Sequence, residues 1–264
     1  MTKVVSIKFK SYQESVPKLL ELVKIENEIK KYDSIVLKPC LNYSKTNNTS
    51  LEFVEAVLSF VKSQANQGTK IFIAEGSEGG ETHDLFTELN YKRLAEKYNV
   101  SLVDLNNTEF TEIKSKNFMS SEAIIYPKIL LDSMVISLPK LSEDVETQIS
   151  GSIANMLGAY PASYYKGWFS RVKNKIRKEP IKYAIHDIIR CKIPEVAIID
   201  ASEQGRIFVG SPLEADKQVA NLLKGSWKSI EHLQLVEESN NRELEMDSKR
   251  QHRQQELELK ASIK

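Results

Sequence analysis

The chain has 264 residues, of which 41% are hydrophobic and 28% are charged, the balance of an ordinary globular protein. Its formal net charge of +1 excludes a global field that would attract nucleic acid or an anionic membrane, so any such attraction must be local. Cys40 and Cys191 lie far apart and form no CxxC pair, which excludes a disulfide framework, a zinc ribbon and a ferredoxin-type iron–sulfur motif within this chain.

The first half of the chain alternates between predicted strands and predicted helices. Short apolar, β-branched runs predict strands at 4–9, 34–37, 70–74 and 100–105. Apolar residues at helical spacing predict helices at 11–31, 51–64 and 82–97. This alternation indicates a parallel sheet with helical crossovers.

The second half continues the pattern less regularly. Residues 106–116 fit an edge strand, 123–126 a short strand and 128–131 a turn. The strongest strand is 134–138, and a helix start at 153–157 is stopped by Gly158. Later strands are predicted at 195–200 and 205–209, and helices at 212–223 and 226–236.

These elements predict an α/β fold, with a mostly parallel sheet flanked by helices. We expect a single domain over 1–236. Residues 164–192 form a basic, aromatic helical insertion or lid, and 237–264 form a charged C-terminal tail, helical or disordered. The N-terminus lacks a signal-peptide core and no apolar run approaches the ~20 residues that span a bilayer, so we expect a cytoplasmic protein.

Polar residues follow several predicted strands, where α/β proteins place their ligand sites. Lys38 ends the second strand and can pair with a phosphate or carboxylate, although a solvated surface lysine explains it equally well. Asn42 suits either ligand binding or the capping of a turn, and capping is the simpler reading.

The segment Glu75–Gly80 opens directly from the third strand. Glu75 is a candidate acid or base, and Gly76 allows the backbone to approach a ligand. The segment is neither a Walker loop nor a G-x-G-x-x-G fingerprint, and a flexible turn is the competing interpretation. His83 can join Glu75 at a metal only as a minority reading, so we predict no metal site.

Four further candidates lie around the last strands. Lys140 directly follows the strongest strand and is a candidate base or anion clamp, and Asp200 ends the strand at 195–200. Gly151 and Asn155 lie at a helix N-terminus, whose free N–H groups favour anions, although plain capping explains them as well.

The insertion interleaves cations with aromatic residues between Lys166 and Lys178. Such a segment can bind nucleic acid, a partner protein or an anionic membrane, act as a lid, or be a solvated helical excursion. His186 follows on an apolar face and is better explained as a core histidine than as a catalytic one.

Six short pieces of the chain, taken together and in order, resemble the domain of unknown function 362 (DUF362) family. The pieces are Val36–Pro39 with Leu41–Asn42, Ala74–Gly76 with Thr82 and Phe86, Leu131–Ser133 leading to Leu138–Leu141, Gly151–Gly158, Ile198–Asp200, and Ala215–Asp216 with Val219–Ala220. The resemblance implies an α/β fold and a cytosolic prokaryotic setting, but no settled activity.

Two departures from the family pattern affect the expected site. Ser142, Glu143 and Asp144 stand where the family usually has lysine, threonine and histidine, and Ala154 stands where it usually has lysine. Two cations and an imidazole are therefore missing, which bears on whether any family activity is retained.

Two functions remain open from the sequence. The first is binding or conversion of a small anionic metabolite in a crevice at the strand C-termini, with Glu75, Lys140 and Asp200 as catalytic groups and Lys38, Asn42, Gly76, Gly151 and Asn155 as ligand contacts. The second is a non-catalytic protein that uses its basic aromatic segment to engage RNA, a partner protein or an anionic membrane. The sequence specifies neither a cofactor nor an oligomeric state.

Overall fold

The computed structural model describes residues 3–43 and 47–262. The strands are β1 (Val5–Lys8), β2 (Ser34–Pro39), β3 (Lys70–Glu75), β4 (Ser101–Asp104), β5 (Phe110–Lys114), β6 (Ala123–Pro127), β7 (Met134–Leu138), β8 (Ser142–Asp144), β9 (Gln148–Ser150), β10 (Val196–Ala201) and β11 (Arg206–Gly210). The helices are α1 (Tyr12–Leu22), α2 (Glu26–Ile29), α3 (Leu51–Gln64), α4 (Thr82–Glu88), α5 (Tyr91–Tyr98), α6 (Lys128–Leu131), α7 (Ala162–Tyr165), α8 (Ile181–Cys191), α9 (Pro212–Lys224) and α10 (Glu231–Ser262).

Seven strands form one sheet in the order β1-β11-β10-β7-β2-β3-β4. The five strands from β10 to β4 are parallel, and β11 and β1 add an antiparallel edge. The predicted α/β fold with a mostly parallel sheet is therefore confirmed. The strand expected within 106–116 is present as β5, but it pairs with β6 in a separate two-stranded sheet and not at an edge of the main one.

The central strands are buried on both faces, because helices cover each side of the sheet. Ile35 and Leu37 of β2 belong to the core under α1 and α3, whereas Val36 belongs to the opposite core with α8, α9 and α10. Alternate residues of a strand point to opposite faces, so this assignment fixes the side of the sheet to which each residue within β2 points.

Two predicted helices are each broken by a residue in the left-handed region. Lys24, with φ 54°, separates α1 from α2, and Asn90, with φ 64°, separates α4 from α5. Hydrophobic periodicity continues across such breaks and does not reveal them. The expected turn at 128–131 is the one-turn helix α6.

The predicted helical insertion is only partly regular. Its second half is α8, but residues 166–180 are mostly irregular, with one 3₁₀ turn at Asn174–Arg177. The helix predicted to start near 153 is the 3₁₀ helix Ala154–Ala159. The polar stretch after β7 forms the hairpin β8–β9, which the sequence did not indicate.

The predicted tail is helical as far as the structure describes it. The long helix α10 runs through it to Ser262, and residues 263–264 of the predicted tail lie outside the described residues. Across residues 3–43 and 47–262, no helix combines the length and apolar character needed to cross a membrane.

Candidate ligand-binding pocket

The carboxyl ends of β2 and β3 lie side by side and bring together two residues that are 37 positions apart. Lys38 is the penultimate residue of β2, and Glu75 is the last residue of β3. Lys38 Nζ donates to Glu75 Oε1 at 3.1 Å and to Oε2 at 3.0 Å. The predicted convergence of these two strand-end residues therefore occurs.

A third predicted residue, Asn155, completes the cluster from the 3₁₀ helix. Its Oδ1 accepts from Lys38 Nζ at 3.1 Å. Its Nδ2 donates to the Lys38 carbonyl and to Ser137 Oγ, each at 3.0 Å. Because Ser137 lies on β7 opposite Lys38 in the sheet register, this one amide ties the 3₁₀ helix to two adjacent strands.

The ion pair is buried and its hydrogen-bonding capacity is used internally. Lys38 is fully buried and Glu75 is 2% exposed. The three N–H groups of Lys38 meet three acceptors, and Glu75 also accepts from the backbone N–H of Gly76 at 2.8 Å and of Leu41 at 3.4 Å. A lysine with three internal acceptors has no hydrogen left for a ligand.

Glycine is required where the 3₁₀ helix passes this ion pair. A Cβ added to Gly158 would overlap Glu75 Oε1 and lie 2.7 Å from Lys38 Nζ. A Cβ added to Gly76 would overlap the Gly158 carbonyl oxygen. Gly76 therefore allows a close approach of backbone to the protein's own chain, and its predicted contact with a ligand stays a prediction.

Lys173 enters the same region from the basic insertion. Its side chain is buried, and its Nζ donates to the Gly76 carbonyl at 2.6 Å and to the Gly158 carbonyl at 3.2 Å. Burial lowers the pKa of Lys173 to about 8, although Glu78 and Glu75 act in the opposite direction. In the sequence, Lys173 is only one of several cations in the insertion. The nearby apolar residue Ile176, which is buried, is the signal that this part of the insertion packs against the core.

Arg177 closes the rim one helical turn later. Its guanidinium contacts Glu146 at 2.6 Å and Glu78 at 3.0 Å, and it also donates to the Lys173 carbonyl at 3.1 Å. Burial alone would lower the pKa of Arg177, but hydrogen bonds to these two carboxylates raise it. The insertion is thereby fastened to the β3–α4 loop and to the β8–β9 turn.

A cavity of about 170 Å³ lies between these parts. It is lined by Cys40, Leu41, Asn42, Asn47, Glu75–Glu78, Asp144, Glu146, Thr147, Ser150, Ala154, Asn155, Leu157, Gly158, Lys173 and Arg177. Among the lining residues, four carboxylates stand against two cations. We call this cavity the strand-end pocket.

The strand-end pocket contains a thiol, but not a reactive one. Burial raises the pKa of Cys40 to about 12, and Glu75 adds to this effect. Because the thiolate is the nucleophilic form, Cys40 is a wall residue and not a nucleophile at neutral pH.

Three other predicted site residues lie elsewhere. Lys140 forms an ion pair with Glu203 at 2.7 Å and does not line the strand-end pocket. Asp200 shares the strand face of Ile198, under α1, and its Oδ2 accepts from Tyr12 Oη at 2.8 Å. The expected single rim is therefore corrected: Asn42, Glu75, Gly76 and Asn155 line the strand-end pocket, whereas Lys140 and Asp200 do not. Lys38 is not a lining residue either, but it is hydrogen-bonded to Glu75 and Asn155, which are.

The third displaced residue, Gly151, packs against Asp216 of α9, where an added Cβ would lie 2.8 Å from the carboxylate. Asp216 accepts from the backbone N–H of Ser152 at 2.7 Å and of Ile153 at 2.8 Å. Burial raises the pKa of Asp216 to about 7, against the effect of these two hydrogen bonds. The helix N-terminus predicted to bind an anion is thus occupied by the protein's own carboxyl group.

A second buried polar cluster has the connectivity of a hydrolase triad but not its setting. His186 Nδ1 lies 2.9 Å from Asp187 Oδ1, and Nε2 lies 3.0 Å from Ser239 Oγ. Asp187 accepts from three successive backbone N–H groups, and Arg190 donates to Ser239 Oγ at 2.7 Å. All three triad-like side chains are buried, and none lines the strand-end pocket. The cluster joins α8 to α10, in agreement with the reading of His186 as a core residue.

No arrangement of three or more His, Cys, Asp or Glu side chains suited to a metal ion occurs within the described ranges. Together, the fold and the strand-end pocket define an α/β protein with a polar cavity at the carboxyl edge of a parallel sheet. Comparison with known families matches residues 10–212 to the family described as Domain of unknown function (DUF362). The chain belongs to this family, as the resemblance predicted.

The chain was also compared with curated proteins and with solved structures. No curated protein matches the chain. Among solved structures, a crystal structure of a protein from Thermotoga maritima, determined by the Northeast Structural Genomics Consortium, is similar with a TM-score of 0.49 and 12% sequence identity. The match covers 81% of the present chain, which spans 59% of that protein.

Proposed function

We propose that the strand-end pocket binds a small polar metabolite and that Lys173 contacts an anionic group of this ligand. The observation that carries the proposal is a buried amine in the wall of a cavity at the carboxyl edge of the parallel sheet. Open α/β sheets bind ligands at this edge, because crevices form where the crossovers diverge. Two N–H groups of Lys173 are used by carbonyl groups, which leaves the third for a ligand.

The charges of the pocket narrow the class of ligand. Glu78 and Glu146 share the one guanidinium of Arg177, and Asp144 adds a further carboxylate to the lining. A purely anionic ligand would meet more negative than positive groups. The matching ligand therefore combines an anionic group, placed against Lys173, with hydroxyl or amine donors that face the carboxylates.

The geometry also redistributes the predicted roles. Lys38 and Glu75 use their hydrogen bonds on each other and on the backbone, which supports a structural role for both. Lys173 is the residue to which we assign contact with the ligand. With a pKa of about 8, roughly nine tenths of its amine is protonated at pH 7, the form that an anionic group of the ligand needs.

The test is isothermal titration calorimetry with a panel of small carboxylates, phosphates and amino acids. At least one compound is expected to bind, and Lys173→Met is expected to weaken it at least tenfold. Lys166→Met, which removes an exposed cation from the same segment, serves as the matched control and should leave the affinity unchanged.

The pH dependence separates a ligand contact from a purely structural lysine. Affinity for an anionic group should fall as pH rises through about 8, because Lys173 then loses its proton. Lys173→Arg keeps the charge and should remove this pH dependence. The proposal fails when no compound of the panel binds, or when a folded Lys173→Met variant binds as tightly as the wild type.

A further inference from the structure

The basic insertion carries a feature that the strand-end pocket does not use. Trp168 and Phe169 are adjacent and are 94% and 98% exposed. We propose that the turn Gly167–Ser170, here called the aromatic turn, docks on an anionic phospholipid surface. The two exposed aromatic rings present roughly 400 Å² of side-chain surface, comparable to the largest apolar patch of a typical monomer, which is often functional.

The exposure of the two rings is imposed by the fold. The Ser170 N–H donates to the Gly167 carbonyl at 3.1 Å, which closes a turn with Trp168 and Phe169 at its tip. Immediately after the turn, the Gly79 N–H donates to the Arg171 carbonyl at 2.9 Å, and Lys173 is buried. The residues that follow the aromatic turn are therefore fixed to the rest of the protein, and the turn projects from them. Little conformational entropy is lost when the two rings enter a bilayer.

Positive charge surrounds the aromatic turn. Lys166, Arg171, Lys175 and Lys178 are all exposed, and Glu179 is the sole acidic residue between positions 162 and 182. Within the part of the chain that the structure describes, Lys166, Arg171 and Lys178 make no ion pair of the kind that holds Arg177. Glu81 and Asp84 line the same cleft as Lys166 and Arg171, so the local excess is smaller than the number of cations suggests.

This combination fits a lipid interface better than a nucleic acid. Tryptophan is favoured at the headgroup level of a bilayer, and protruding apolar side chains flanked by cations provide the two signals that stable attachment requires. Binding of single-stranded RNA instead uses aromatic rings laid along a groove that follows the backbone. Here the two rings stand at the tip of a turn, so they suit insertion between headgroups.

The experiment is co-sedimentation of the full chain with vesicles of phosphatidylcholine containing about 30% phosphatidylserine, enough anionic lipid to attract cations near the surface, compared with phosphatidylcholine alone. The chain should bind the anionic vesicles more tightly. Trp168→Ser/Phe169→Ser should reduce binding at least tenfold. Lys166→Gln/Arg171→Gln should reduce it by roughly twenty-five-fold, because each cation near the surface contributes about a fivefold effect.

Matched controls come from the opposite side of the sheet. Leu22→Ser removes an exposed apolar side chain of α1, and Lys18→Gln/Lys30→Gln removes two exposed cations from the same region. Neither change should alter vesicle binding by more than twofold.

Fluorescence shows whether the rings enter the bilayer. The chain has two tryptophans, so Trp227→Phe leaves Trp168 as the only one. Its emission should shift to shorter wavelength with anionic vesicles and be quenched by lipids brominated on the acyl chains. Equal binding to neutral vesicles, full binding by Trp168→Ser/Phe169→Ser, or binding to single-stranded RNA with no binding to vesicles would each overturn the proposal.

Discussion

Replacing Lys38 by methionine tests whether the buried ion pair with Glu75 stabilises the carboxyl edge of the sheet. The substitution keeps a long side chain but removes three hydrogen bonds. It leaves a carboxylate at 2% exposure without its cation. Removing one partner of a buried ion pair costs about 3–5 kcal/mol. Against a total stability of about 5–15 kcal/mol, this is a large fraction.

The double variant Lys38→Met/Glu75→Gln separates the ion pair from general loss of packing. Each single variant leaves an unpaired buried charge, whereas the double variant leaves none. Its cost should therefore be smaller than the sum of the two single costs by at least about 2 kcal/mol.

Urea unfolding followed by circular dichroism measures these free energies, and Lys166→Met is the control for loss of an exposed lysine. We expect the control to change stability by less than about 0.5 kcal/mol. The reasoning is refuted when Lys38→Met costs less than about 1 kcal/mol, or when the two single costs simply add.

Three further predictions follow from the same contacts. Burial raises the pKa of Asp216 from 3.8 to about 7. The protonated carboxyl group therefore stabilises the fold fully below about pH 4, and this contribution of roughly 4 kcal/mol is lost as pH rises to about 7. Asp216→Asn should flatten the measured slope of unfolding free energy against pH. Gly158→Ala should cost about 1–3 kcal/mol in urea unfolding, because the new methyl group overlaps Glu75; an unchanged midpoint would contradict the close approach of these two residues. Burial raises the pKa of both Cys40 and Cys191 to about 12. At about pH 8 the thiols of the native protein should therefore react with iodoacetamide at least roughly a hundred times more slowly than those of the urea-unfolded chain. Mass spectrometry of the alkylated protein measures both rates.

The part of the site that the sequence predicted depends on local patterns. Lys38 and Glu75 each follow an apolar β-branched run, and parallel strands end at a common edge, so their approach followed from the strand assignment. Asn155 was found because small residues and a helix start followed the strongest strand. For these residues, position along the chain and position in the sheet are linked by one simple rule.

The positions of Asp200 and Lys140 could not be predicted from the strand assignment alone. Asp200, like Lys38, is the penultimate residue of a parallel strand, but it lies under α1, on the opposite face of the sheet from Lys38. A shift of one residue in a strand moves a side chain to the other face, and the sequence does not fix which residue is the last to point toward the crevice. Lys140 is likewise displaced, because it pairs with Glu203 in the 3₁₀ turn that follows β10.

The sequence by itself determined the alternation of strands and helices, the family and the presence of polar groups at the strand ends. Only the tertiary structure decided that Lys173, among several cations in an irregular segment, is the one buried beside Gly76 and Gly158, while Trp168 and Phe169 remain exposed. The physical reason is the range of the forces involved. Periodicity records which face of a local element is apolar, whereas the burial of one lysine depends on carbonyl groups that the crossovers bring from distant parts of the chain.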